Sequence, residues 1–83
     1  MIKVLNFSFD TDSHIALVFS DHSRGTFDLA TYLASRSGPL LEPLKDPAFR
    51  RRAFIDAGAL CWPNGLEISP ARLHELSSLH AAA

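Results

Sequence analysis

The side chains able to do chemistry are few and widely separated. Four histidines (His14, His22, His74 and His80) and one cysteine, Cys61, are the candidates for metal or nucleophile work. None stands at a zinc-like spacing from another. His74 and His80 are six residues apart, which is not a one-turn helical pair. Cys61 lies in an apolar segment, where a small core residue fits better than an activated thiol, because nothing adjacent in sequence would lower its pKa. Asp10 and Asp12 stand in a run of turn-forming residues and read as turn formers rather than as a carboxylate pair. A triad of Asp56 with a histidine and a serine, or a Cys61–His pair, can be drawn, but a chain of this size always permits such a drawing. The glycines are scattered and form no phosphate-cradling loop. No enzymatic activity, metal or cofactor is therefore expected.

Two clusters could recognise a partner instead. Lys45 and the run Arg50-Arg51-Arg52 form a basic patch. In a strand, Arg50 and Arg52 would share a face and repel unless solvated or paired. The simplest role for them is a charged edge that blocks unwanted strand pairing, and the sharper one is docking onto an acidic surface or a phosphate backbone. The second cluster is Trp62, Asn64 and Glu67, around the turn Pro63-Asn64-Gly65. Trp62 offers a large apolar area with one N–H needing a partner, while Asn64 and Gly65 suit the loop geometry. Glu67 alternates with Leu66 and Ile68 and so faces outward. Together these three could line a partner-binding face.

The elements that must position these residues follow from periodicity. Residues 2–9 read as a strand with Leu5, Phe7 and Phe9 on one face. Residues 14–19 read as a second, with Ile15, Leu17 and Phe19 inward, and residues 24–29 as a third, with Phe27 inward. The turns between them, Asp10-Thr11-Asp12-Ser13 and Asp21-His22-Ser23, are too short for crossovers, so the strands form an antiparallel meander. Asp28 is placed to cap a short helix over residues 29–36, stopped by Gly38-Pro39. Asp46-Pro47 starts a one-turn helix that buries Phe49. Residues 51–57 are expected as a fourth strand, and residues 59–62 and 66–68 as a hairpin. Ser69-Pro70 opens a final helix with Leu73, Leu76 and His80 toward the body, ending in a frayed Ala81-Ala82-Ala83 tail. The fold class is α+β, in one domain spanning residues 1–83.

The totals agree with a small globular domain. With 83 residues and 47% apolar composition, the chain can bury a modest core, about 60–65% of its unfolded surface. The net charge of −1 gives no global attraction to nucleic acid or to an anionic membrane. A lone cysteine excludes an intrachain disulfide and suits a reducing compartment. The start Met1-Ile2-Lys3-Val4 lacks the pattern of a signal peptide, and the longest apolar run, residues 15–19, is far short of the roughly 20 residues that span a bilayer. A cytoplasmic location without membrane association is expected.

The segment Trp62-Pro63-Asn64-Gly65-Leu66-Glu67-Ile68-Ser69-Pro70 is the most specific stretch of the chain. Together with Phe54 and Asp56, the early strand–turn–strand and the Phe27-Asp28-Leu29 step, it resembles the bacterial family called domain of unknown function 2442, over nearly the whole chain. Where members of that family often carry an aromatic after the leucine of the last helix, this chain has His74 after Leu73. The resemblance implies a small α+β fold. It also implies a gene that often lies beside one for another small uncharacterised protein, as in a toxin–antitoxin pair. Some relatives carry a helix-turn-helix domain after this one; no such pattern follows in these residues, so a DNA-reading role of that kind is not expected.

Three readings from different classes are carried forward, the third being a minor enzyme or small-ligand domain, which a cleft with convergent polar groups would support. The first is a protein-interaction module, the antitoxin-like or regulatory member of a two-protein bacterial system, with a small protein encoded nearby as partner. The alternative is a nucleic-acid contact module using Lys45, Arg50, Arg51 and Arg52. A homodimer is compatible with all three, because short strands leave edges to cover.

Overall fold

The computed structural model describes residues 1–81. Strands β1 (Val4–Phe9), β2 (His14–Phe19) and β3 (Ser23–Asp28) form the expected antiparallel meander. The turns are built from their own side chains. Thr11 Oγ1 accepts the N–H groups of Ser13 (3.1 Å) and His14 (3.0 Å), and Asp21 Oδ1 accepts the N–H of Ser23 (3.0 Å). Asp10 and Asp12 thus stand in a turn whose hub is Thr11.

One strand departs from strict alternation. The β1–β2 register shifts between Val4 and Asn6, which places Val4 in the core at 2% exposure and leaves Leu5 outside at 61%. The extra residue of a β-bulge reverses the facing of everything before it. Period-two reading carried back from Phe9 and Phe7 therefore assigns Leu5 to the wrong side.

Asp28 caps α1 (Leu29–Ala34), accepting the N–H of Thr31 at 3.0 Å, and the helix buries Leu29 and Leu33. A 3-10 turn over Glu42–Lys45 buries Leu44, and Asp46 then caps the single-turn α2 (Pro47–Arg50). A second sheet follows in the order β4 (Phe54–Asp56), β5 (Ala59–Cys61), β6 (Glu67–Ile68). The fourth strand is thus shorter than the span 51–57, because Arg51 and Arg52 still belong to the turn that closes α2. The β5–β6 turn closes with Gly65 N–H on the Trp62 carbonyl (3.1 Å), and Gly65 has φ +93°, the left-handed position expected of it.

The last helix, α3 (Pro70–Leu76), begins on a Ser69 cap as read from the sequence but ends early. The Ser77 N–H and hydroxyl both return to the Leu73 carbonyl, and Ser77 takes extended φ and ψ. Serine favours such local bonds over continuing a helix. The chain then enters β7 (Ser78–Ala81), which pairs antiparallel with β3. The meander is therefore the greater part of a four-stranded sheet ordered β1-β2-β3-β7. His80 lies in that strand rather than on α3, and Leu76, at 39% exposure, is not covered by the body. Ala81 is part of β7; the tail residues Ala82 and Ala83 lie outside the described residues.

The core fills the space between the sheets and helices. Val4, Ile15, Leu17, Phe19 and Phe27 come from the first sheet, Leu60 and Ile68 from the second, with Leu29, Leu33, Leu44, Trp62 and Leu73 closing it. Each such residue contributes about 1.5–3 kcal/mol by leaving water. The sheets meet where the Val4 N–H donates to the Gly58 carbonyl (2.9 Å). A Cβ on Gly58 would lie 2.7 Å from the Lys3 Cβ, and φ there is +83°, so only glycine fits the crossing.

Candidate protein-interaction face

The second sheet shows one face to the core and one to solvent. Register pairs Phe54 with Cys61, Asp56 with Ala59 and Cys61 with Glu67. Because side chains alternate along a strand, Leu60 and Ile68 are buried inward, while Phe54, Asp56 and Glu67 stand on the outer face. Phe54 remains 44% exposed. It borders a shallow depression of 210 Å³ that Asp56, Cys61, Leu66 and Glu67 also line. Asp56 and Glu67 make no ion pair among the described residues. The face therefore offers one exposed aromatic on its β4 edge, with the open carboxylates of Asp56 on the same strand and Glu67 two strands away.

Cys61 stands on this same face, in the row between Phe54 and Glu67, and is covered there. It is buried, and its Sγ lies 3.8 Å from the Glu67 carboxylate and from the Ala59 carbonyl. Burial pushes its pKa up, and the negative charges of Glu67 and Asp56 push it further in the same direction. The thiol stays protonated at neutral pH.

Of the turn cluster read from the sequence, only Glu67 lies open on this face. Trp62 is 1% exposed, and its indole N–H donates to the Arg50 carbonyl at 3.0 Å. It borders the depression beside Phe54, but nearly all of its surface is spent filling the core beneath the hairpin. Asn64 is likewise engaged: its side-chain amide donates to the Leu40 carbonyl (2.9 Å), and its oxygen accepts the Leu66 N–H (3.2 Å). It ties the loop after Gly38-Pro39 to the hairpin. Phe54 and Asp56, on the other hand, belong to the face although the sequence did not single them out for partner binding. The signal for them was the alternation Phe54-Ile55-Asp56 around an inward Ile55.

The basic patch is largely internal wiring. The Arg50 guanidinium donates to the carbonyls of Leu44 and Asp12 (3.1 Å to the latter) and to the Ser13 hydroxyl (3.3 Å). Arg51 forms an ion pair with Asp12 at 2.8 Å and lies over the Phe9 ring at 5.1 Å. These two residues tether α2 to the β1–β2 turn. Lys45 pairs with Glu42 at 3.1 Å on the same 3-10 turn. Arg52 lies over Phe49, with its guanidinium carbon 5.7 Å from the ring centre. Arg50 is thus half-buried and spent on the fold, while Lys45, Arg51 and Arg52 remain exposed.

Two histidines meet carboxylates through the fold. His74 Nε2 is 3.0 Å from Asp21 Oδ2 and 3.2 Å from the Ser23 hydroxyl, with its ring edge-on to Phe19 at 4.9 Å. Asp21 and Ser23 both use the same ring nitrogen, whereas a proton relay needs the acid and the hydroxyl on opposite nitrogens. The Asp21 carboxyl is held below its usual pKa, first by the Ser23 hydroxyl, then by the Ser23 N–H and His74. This cluster clamps α3 onto the β2–β3 turn. His14 Nδ1 meets the Thr11 hydroxyl (3.0 Å), whose oxygen also accepts two backbone N–H groups as the turn hub, and His14 Nε2 lies 3.6 Å from Asp28 on the opposite side of the ring. Among the described residues, no three His, Cys, Asp or Glu side chains gather as metal ligands. No helix among them is long and apolar enough to cross a membrane.

A two-sheet α+β domain with an exposed aromatic and two open carboxylates on one outer face is the class that fold and surface define. The chain belongs to the family described as protein of unknown function (DUF2442), whose model matches residues 4–77. No curated protein and no solved structure matches it.

Proposed function

We propose that this domain is a protein-interaction module, the antitoxin-like or regulatory member of a two-protein system in the bacterial cytoplasm. The two-protein arrangement rests on the family resemblance. The observation that carries the interaction reading is Phe54, an aromatic side chain 44% exposed on a strand face that it shares with Asp56 and Glu67. Aromatic side chains, phenylalanine included, are enriched at protein contacts, where a few anchors carry most of the binding energy. Open carboxylates on the same face favour a partner with a basic, apolar segment, and add association rate more than affinity. The partner of this reading is the small protein encoded beside it. The nucleic-acid alternative has less to support it, because Arg50 and Arg51 are occupied by Asp12, Ser13 and Leu44.

The test is a direct titration of that neighbouring protein into this one. Phe54→Ala should weaken binding by about 30-fold or more, the effect of losing a hot-spot side chain. Asp56→Asn with Glu67→Gln should slow association and flatten its salt dependence. Binding that is unaffected by Phe54→Ala, or no binding to the native chain, would reject the assignment.

A further inference from the structure

A cleft of 230 Å³ runs along α1 and reaches the end of α3, and it shares no residue with the Phe54 face. Its apolar lining comes from three side chains. Phe27 is buried at 1% exposure, and its ring is tilted against Tyr32 with 5.4 Å between centroids. Leu76, the last residue of α3, also lines the cleft and is left 39% exposed by the core. One cation stands at this lining. The Arg36 guanidinium carbon lies 4.1 Å from the Tyr32 ring centre, and Nη1 donates to the Ser35 hydroxyl at 3.2 Å. A guanidinium carries five N–H donors, and among the described residues no carboxylate pairs with this one. Contact with Tyr32 restrains the group before any ligand arrives, which lowers the ordering cost of binding. The other charge at the cleft is Asp28, which precedes α1 as Arg36 follows it. Its carboxylate is spent as a cap, accepting from the Thr31 N–H (3.0 Å) and hydroxyl (2.8 Å). Its negative charge disfavours a dianion, such as a phosphate monoester, in the same cleft.

We propose that this cleft binds a small aromatic carboxylate, its ring among Phe27, Tyr32 and Leu76 and its acid on Arg36. Volume sets the size. At about 30 Å³ per water, the cleft holds about seven or eight waters, which suits a single ring with a short acid arm rather than a peptide helix or a nucleotide. Charge sets the acid, because one unpaired guanidinium matches one carboxylate through two parallel hydrogen bonds. The lining sets the ring, because edge-to-face packing on Phe27 and Tyr32 favours an aromatic over an open alkyl chain. Apolar walls with a small number of placed polar groups are the usual form of a small-molecule site. This site goes beyond the interaction reading and is independent of it, so either assignment can fail alone.

The experiment follows the backbone amide signals of the full chain by NMR as phenylacetate is added. Saturable shifts are expected at Thr31, Tyr32, Ser35 and Leu76, with a Kd of about 1 mM or tighter for a ligand of about ten heavy atoms. Phenethyl alcohol, of similar size but without the charge, should bind about 10-fold more weakly or not at all. Arg36 is exposed, so Arg36→Gln keeps the fold; it should lower the affinity for phenylacetate by about the same 10-fold and leave that for the alcohol unchanged. As a second variant, Leu76→Glu sets a negative charge on the lining and should remove phenylacetate binding while the spectrum stays that of a folded chain. Shifts that do not saturate, equal affinity for acid and alcohol, or unchanged affinity in Arg36→Gln would each overturn the proposal. Saturable shifts confined to residues outside the cleft would place the binding elsewhere and overturn it as well.

Discussion

At the residue scale, Trp62 shows how a side chain suited to binding can be consumed by folding. Its ring fills the core and its N–H satisfies the Arg50 carbonyl, so two needs of a buried indole are met at once. Trp62→Ala should cost about 3–5 kcal/mol in denaturant unfolding, the range for emptying a large aromatic site. Trp62→Phe keeps much of the apolar area but leaves a carbonyl unpaired, and should cost about 1–3 kcal/mol. A loss below the alanine value but clearly above zero is the expected order. Asp21 makes a prediction of a different kind. Its folded pKa is depressed, chiefly by the Ser23 hydroxyl. The stability it contributes is complete above its unfolded pKa of about 3.9, and is lost as pH falls through the lower folded value. Asp28 behaves likewise through the Thr31 N–H and hydroxyl. Asp21→Asn should flatten the acid limb of a stability–pH curve below about pH 4, as followed by thermal unfolding, and leave its neutral region shaped as before.

At the scale of elements, most of the architecture was legible because its signals are local. Alternation marked β2, Asp28, Asp46 and Ser69 marked three helix starts, and Gly65 marked the hairpin loop. What escaped was set by contacts distant in sequence. The bulge that turns Leu5 outward is fixed by pairing with β2 and by the contact of Val4 with Gly58. The strand β7 exists because an edge of β3 was available to it, and nothing in Ser78-Leu79-His80 announces a strand. The candidate face was half legible: Glu67 was placed outward correctly, while Phe54 gained its importance only when the sheet showed which face stays open. Two element-level measurements follow. Gly58→Ala forces a Cβ against Lys3 at a left-handed φ, and should destabilise by about 1–3 kcal/mol. Ser69→Ala removes the hydroxyl that accepts the Arg72 N–H, and should cost about 1 kcal/mol. Chemical denaturation of each variant reads both.

At the scale of the whole molecule, two small sheets share one core, and the arginines that looked like a docking patch hold α2 to the first sheet. The outer face of the second sheet is a surface the core does not need, and the proposed binding is assigned to it. The central claim is that Phe54 anchors a protein partner there. The measurement that tests it most directly is calorimetric titration of the neighbouring small protein into the native chain and into Phe54→Ala, with matching unfolding curves to show that both are folded. The account predicts a defined stoichiometry with the native chain and an affinity lower by about 30-fold or more for the variant. Equal affinity for the two chains, or no heat of binding with either, would contradict it.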